Sequence, residues 1–269
     1  PDPSDSTTLL ADVPSGTETY SEKISSSYKK LVKIGKGTLV LTAASSQSGN
    51  DPFMGTVEIR EGILETQNVY ALRECSKDAS VYNVRLSVLS NAQLRITFAV
   101  SSQDFNAFYN VGIEGDGPDG KGAIVFNGSG NADNLIQHLH LTGDASIGGT
   151  GRFGIGNWGY LFLDGHTLTA LNNSYYFRDI RTAAEHAGHF VKKGGSVTFQ
   201  QGAVQTFLRG GAENTFTLDR AGLNFWSGGN LDVSWTLKLL ASTVIFVHNN
   251  SQWGGPIVGD GGNLDIYSD

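Results

Sequence analysis

Lys33-Ile34-Gly35-Lys36-Gly37-Thr38-Leu39-Val40-Leu41-Thr42 opens a pattern that the rest of the chain repeats. A short apolar run, Leu31 to Ile34, stops at Gly35-Lys36-Gly37, and a second run, Thr38 to Thr42, follows at once. A polar loop, Ala43 to Pro52, separates this pair from Gly55-Thr56-Val57-Glu58-Ile59, after which Glu61-Gly62 opens Ile63-Leu64-Glu65. The unit is therefore two short strands joined by a glycine corner, then a loop, then two strands again. Strands this short cannot bury their apolar side chains as isolated hairpins. Stacked coil on coil, they can.

The unit recurs. Val84 to Val88 is followed by Ala92 to Ile96, and Ala123 to Phe126 ends at Asn127-Gly128. Leu139 to Thr142 precedes Ala145-Ser146-Ile147, and Leu161-Phe162-Leu163 precedes Asp164-Gly165-His166-Thr167-Leu168-Thr169. Ser196 to Phe199 and Thr215 to Leu218 continue the series, the latter leading into Leu223-Asn224-Phe225. A repeat of roughly 20 to 25 residues is the period of a coiled β-solenoid. The sequence thus predicts an all-β, right-handed parallel β-helix running from residue 13 to 269 as a single domain, behind a flexible polar lead-in at residues 1–12. Its opening Pro1-Asp2-Pro3 reads as the edge of a longer exported protein. A β-sandwich or jelly roll is the alternative built from short strands. The scarcity of two-residue Asn-Gly hairpins counts against it. Helical periodicity is confined to Thr182 to Gly188, and Glu65 to Asn83 fits no coil and reads as an inserted loop.

Thirty-five glycines against six prolines supply the many corners this reading needs. The formal net charge is −7, and the 19 Lys and Arg residues are scattered, with Lys29, Lys30, Lys33 and Lys36 the nearest approach to a basic patch. That is too little cation to neutralise a phosphate backbone, which argues against nucleic acid as a partner. No apolar run reaches the roughly 20 residues of a membrane helix; the longest, Leu237 to Val247, carries Lys238, Ser242 and Thr243. Cys75 is the single cysteine, without an intramolecular disulfide partner, and reads as a structural thiol.

The stretch from Lys33 to Leu64 resembles the autotransporter-associated β-strand repeat. The likeness rests on Lys33-Ile34-Gly35-Lys36-Gly37-Thr38-Leu39, on Gly49-Asn50 and Phe53 in the turn, on Gly55-Thr56-Val57-Glu58-Ile59, and on Gly62-Ile63-Leu64. Weaker echoes are Leu141 to Ile147, Leu163 to Thr169 and Val191-Lys192-Lys193-Gly194-Gly195-Ser196-Val197. Met54 is an extra residue at the turn, and Phe53 stands where tyrosine is usual. The resemblance implies a bacterial, exported, parallel β-helical protein, extracellular or at the cell surface. It brings no catalytic motif with it.

Candidate chemistry comes from the residues themselves. Glycoside hydrolysis needs two carboxyls about 5 to 9.5 Å apart. Asp144 and Asp164 follow similar strands and are expected on adjoining coils; Glu114 and Asp116 form a second set. The same residues lie in Thr142-Gly143-Asp144, Leu163-Asp164-Gly165 and Glu114-Gly115-Asp116-Gly117-Pro118-Asp119-Gly120, where turn roles are the simpler reading. Glu114, Asp116 and Asp119 also make a weak candidate for calcium, lacking the closing glutamate of an EF-hand loop; no other cofactor is implied. His138 and His140 alternate on one strand face and read as exposed, and His186 and His189 flank Gly188 beside Glu185. Neither pair has a third or fourth ligand at zinc spacing.

Aromatic residues beside Asn and Gly suggest sugar binding, with ring faces stacking while amides bond hydroxyls. Trp158, Tyr160, Tyr175, Tyr176, Trp226 and Trp253 are the candidates, all placed in or beside turns. A second surface is the long loop Ser101 to Gly122, with Phe105, Phe108 and Tyr109. Two functions follow. One is a non-catalytic surface or stalk module, adhesive or glycan-binding, whose partners are glycans or a host surface and further domains of the same polypeptide. The other is a polysaccharide lyase or glycoside hydrolase using a carboxylate cluster on the helix face.

Overall fold

A computed structural model describes residues 6–45, 52–76, 78, 80–100, 107–178, 188–200, 213–226, 235–241, 243–247, 255–260 and 264–268. Every strand pairing among them is parallel. The molecule is a β-solenoid, and the sandwich alternative falls with that observation.

Its strands form three walls. Wall A stacks β1 (Thr8–Asp12), β3 (Lys30–Ile34), β5 (Thr56–Ile59), β7 (Leu86–Val88) and β9 (Phe108–Gly115). It continues through the middle of β11 (Ala132–Gly149) to the end of β12 (Phe153–Phe162). Wall B begins with β2 (Thr17–Tyr20), β4 (Thr38–Leu41), β6 (Gly62–Thr66), β8 (Ala92–Ile96) and β10 (Ile124–Phe126). It passes through the last part of β11 into β13 (Thr167–Leu171), β15 (His189–Lys193), β17 (Thr215–Asp219), β19 (Thr236–Leu240) and β21 (Ile257–Asp260). Wall C starts at the front of β11, passes through the front of β12 and stacks β14 (Ser174–Arg178), β16 (Ser196–Gln200), β18 (Gly222–Trp226), β20 (Thr243–Val247) and β22 (Leu264–Ser268). The glycine-corner unit thus joins A to B in the first half of the chain and B to C in the second.

Alternation along each strand sends one set of side chains inward. On wall B the inward column is Leu39, Leu64, Leu94, Ile124, Ile147, Ala170, Lys192, Leu218 and Leu239, all buried. On wall A it is Leu31, Val57, Leu86, Val111, Leu139 and Leu161. Each fully buried aliphatic contributes about 1.5–3 kcal/mol of transfer free energy. Farther along, the core becomes aromatic: Phe190 stacks on Phe216 at 4.9 Å between ring centres, and Phe177 meets Phe199 at 5.4 Å.

Two inward positions are lysines. Lys33 and Lys192 are fully buried. Lys33 Nζ donates to the carbonyls of Ile34 (2.8 Å), Gly35 (2.7 Å) and Glu61 (3.1 Å). Lys192 Nζ donates to Ala170 O (3.3 Å), Lys193 O (3.5 Å) and Gly194 O, and lies 4.9 Å from the centre of the Tyr175 ring. Both lysines precede a glycine corner, and both turn inward to bind the carbonyls that the corner strips from the ladder. The lysine of the Lys-x-Gly unit is a clip inside the coil.

The corners need left-handed backbone. The residue just past the strand is Gly35 (φ 77°), Asn172 (34°), Gly194 (62°), Arg220 (52°) and Ala241 (56°) in five coils. Glycine takes this conformation without strain, whereas alanine and arginine are strained there.

Three expectations change. The lead-in is shorter than residues 1–12, because Thr8–Asp12 pairs with β3 in register. Glu65 to Asn83 is not simply inserted: Thr66 ends β6, and Ala71, Leu72 and Cys75 point into the core around a 3-10 turn, Glu74–Ser76. Residues 80–84 then cross the outside of wall A, where Ser80 O accepts from Asn110 Nδ2 (3.3 Å) and Tyr82 meets the Phe162 ring at 5.3 Å. The candidate loop Ser101 to Gly122 contains strand β9, to which Phe108 and Tyr109 belong; Phe105 lies outside the described residues. Among those residues no helix is long and apolar enough to cross a membrane.

Candidate functional site

Asp144, Glu114 and Asp119 each accept a local hydrogen bond. Asp144 Oδ1 accepts from Thr167 N of the next coil at 2.8 Å and faces His166 Nδ1 at 3.8 Å. Asp164 is a left-handed turn residue (φ 50°) in a tight corner closed by His166 N donating to Leu163 O. Both therefore serve the corner between walls A and B. Glu114 Oε1 accepts from Ser90 N at 3.2 Å. Asp119 accepts from Gln93 Nε2 (2.8 Å) and Lys121 N (3.2 Å), with Arg95 at 3.7 Å and Lys121 Nζ at 3.5 Å. Burial alone would raise the Asp119 pKa; the hydrogen bonds and the Lys121 ammonium outweigh it and hold the carboxyl below its usual range. No group of three or more His, Cys, Asp or Glu among the described residues is arranged to hold a metal ion. Glu114, Asp116 and Asp119 accordingly form no joint calcium cage.

His138 and His140 are buried, contrary to expectation. His138 and His140 are each only 6 % exposed. His138 Nδ1 accepts from Tyr160 N (3.0 Å), and His140 stacks on Phe162 at 4.3 Å. Burial, helped by neighbouring His140, lowers the His138 pKa to about 4, so the ring is neutral at physiological pH. His189 Nδ1 lies 3.1 Å from Thr215 Oγ1, while Glu185 and His186 lie outside the described residues. Cys75 is wholly buried, with Sγ 2.8 Å from Leu72 O; burial pushes its thiol up, as a structural thiol requires.

The aromatic candidates divide between walls. Tyr175 points inward, its hydroxyl donating to Ile147 O (2.9 Å) and Leu171 O (3.0 Å), and it has no face for a ligand. Tyr176 is outward but covered: the Arg152 guanidinium lies 4.1 Å over its ring, held by a bidentate pair with buried Asp133 at 2.7 Å. Tyr160 stands on wall A between His138 and Phe162. These tyrosines are in strands rather than turns, as are Trp158 in β12 and Trp226 in β18. Trp253 lies outside the described residues. The three tyrosines therefore make no single platform.

What the sequence reading missed is a groove of about 420 Å³ on wall B where it turns into wall C. Its floor is Val125, Gly149 and Leu171; one side is the loop at Gly120 and Lys121, and the other is the corner set Asn127, Thr150 and Asn172. The floor exists because the outward position between Val125 and Leu171 is Gly148. A side chain there would run into Lys121 O. Asn127 Oδ1 accepts from Thr150 N (3.2 Å) and Oγ1 (3.4 Å), linking successive corners. The loop is fastened by Gln93, whose amide donates to Asp119 Oδ1 (2.8 Å) and Gly122 O (3.0 Å) while its oxygen accepts from Arg95. An apolar floor between amides and a hydroxyl, on rigid coils, suits a ligand with one apolar face and a rim of hydroxyls. The sequence signal was Asn127-Gly128 with Gly148-Gly149, which reads as turn punctuation until the coils are stacked.

Comparison with known proteins returns no matching family model, no matching curated protein and no matching solved structure.

Proposed function

We propose that this chain is a non-catalytic, glycan-binding surface module of a bacterial exported protein, extracellular or cell-surface, of the kind that carries autotransporter-associated β-strand repeats. The groove carries the reading: an apolar floor flanked by Asn127, Thr150 and Asn172, built across consecutive coils and walled by a pinned loop. The repeat resemblance gains support from Lys33 and Lys192, which occupy the same place before their corners and both donate to the carbonyls one and two residues ahead. Of the carboxylates proposed for hydrolysis, Asp144 and Glu114 accept hydrogen bonds in coil corners and Asp164 is itself a corner residue, which favours binding over cleavage.

A polysaccharide panel that reads retention and reducing-end release together tests this. Retention without release is the expected result. Released ends would overturn the non-catalytic reading, and silence in both readouts would overturn the glycan reading.

A further inference from the structure

We propose that the groove takes an acidic glycan chain, carrying carboxylate groups and lying along the solenoid axis, with Lys121 and Lys193 as its cationic contacts; this rests on the glycan-binding reading. The outward column of wall B reads Arg95, Val125, Gly148, Leu171, Lys193 on successive coils. An apolar strip is thus bracketed in register by two cations, with a third, Lys121, on the side wall over Gly148. Glu65, Asp119 and Asp219 stand beside them, so the groove offers cations at set positions rather than a net positive field.

Their engagement differs. Arg95 is occupied by Glu65 (3.7 Å), Asp119 (3.7 Å) and Gln93, and its role is to fasten the loop. Lys121 is 71 % exposed and shares Asp119 with Arg95. Lys193 is exposed and has no ion pair among the described residues. The carboxylate on the next coil, Asp219, is held by Arg220 at 3.0 Å. Lys193 is therefore free to meet an anion, and Lys121, largely exposed, can meet one while it stays paired with Asp119.

Spacing selects an extended chain. Coils repeat at about 4.8 Å, near the advance of one pyranose ring in an extended glycan, so each ring would meet one coil. Lys193 lies two coils beyond Gly148, about 10 Å along the axis. In a chain with two-fold twist, like-sided carboxylates recur at every second ring, which matches that separation. Neutral hydroxyls would face Asn127, Thr150 and Asn172.

The test uses the full chain and three probes: a uronic acid homopolymer, its fully methyl-esterified form and a single-stranded oligonucleotide of similar charge. The expected result is retention on the acid polymer that weakens with salt, with affinity for the ester weaker by about tenfold or more. Replacing both lysines (Lys121→Gln with Lys193→Gln) should cost about tenfold or more on the acid polymer and nothing on the ester. Leu171→Asp should weaken acid-polymer binding by repulsion; circular dichroism reports the fold of each variant. Equal affinity for ester and acid, or an unchanged double variant, would overturn the acidic-groove assignment and leave the glycan reading standing. Oligonucleotide binding equal to the acid polymer would overturn it as plain polyanion attraction. No retention of any glycan would overturn both.

Discussion

Replacing Lys192 by methionine should change how stability depends on pH. Lys192 is fully buried in the inward column between Ala170 and Leu218. Burial lowers its pKa from the ordinary 10.5 to about 7. The unfolded chain keeps that proton up to about pH 10.5 and the folded chain only up to about pH 7. Between those values the unfolded state binds more protons, so the lysine makes stability rise with pH across the window. At about 1.36 kcal/mol for each pH unit, the full effect is about 5 kcal/mol. The carbonyls of Ala170, Lys193 and Gly194 and the Tyr175 ring favour the ammonium, so this figure is an upper bound. Methionine keeps the length and apolar stem without the charge. Urea unfolding followed by tryptophan fluorescence at pH 6.5, 8 and 9.5 measures it. The wild-type chain should gain stability relative to Lys192→Met by several kcal/mol as pH rises. Parallel pH curves for the two chains would refute the argument and show an ammonium ionising at an ordinary value in its carbonyl cradle. Lys33→Met is the internal control: Glu61, Asp12 and Glu18 oppose the burial that lowers the Lys33 pKa, and a smaller slope is expected.

Other perturbations test other levels of the structure. Ala241→Gly should stabilise the chain by about 0.5–1 kcal/mol, because glycine takes the left-handed corner without strain; a lower denaturation midpoint would contradict it. Leu64→Ala, in the middle of the wall B column, should cost about 3–5 kcal/mol in urea unfolding. Asp133→Ala removes the partner of Arg152 and should cost about 3 kcal/mol or more, detected as a fall in Tm. His138 binds its proton only near pH 4 when folded, against 6.5 unfolded. Acidification from pH 6.5 to 4 should therefore remove up to about 3 kcal/mol, and His138→Asn should be flatter over that range.

The coil unit was readable at Leu31 to Leu64 because a glycine corner and two apolar runs are local features. Which side chain points inward was less readable. Strands of a parallel solenoid can be covered on both faces, so Leu31-Val32-Lys33-Ile34 shows no clean alternation. Lys33 looks like a surface residue until its carbonyl partners, one of them Glu61 on the following coil, are in place. His138 and His140 were misjudged for a related reason. Their strand pattern is correct, but Tyr160 and Phe162 from the adjoining coil cover them. Adjacent Tyr175 and Tyr176 necessarily fall on opposite sides of one strand, and no composition argument assigns them. The groove was invisible because its floor joins Val125, Gly149 and Leu171, residues brought together only by coil stacking. Binding chemistry on this scaffold lies along columns, across the sequence rather than within it.

Register is the claim beneath all of this, and paired cysteines test it most directly. Glu58 and Ser87 are in register on the outside of wall A, about 4.8 Å apart and within disulfide reach. In a Cys75→Ala background, Glu58→Cys with Ser87→Cys should oxidise to completion, while Glu58→Cys with Arg85→Cys, two residues out of step, should stay reduced. An offset pair that closes while the in-register pair does not would contradict parallel coil stacking and the inferences built on it.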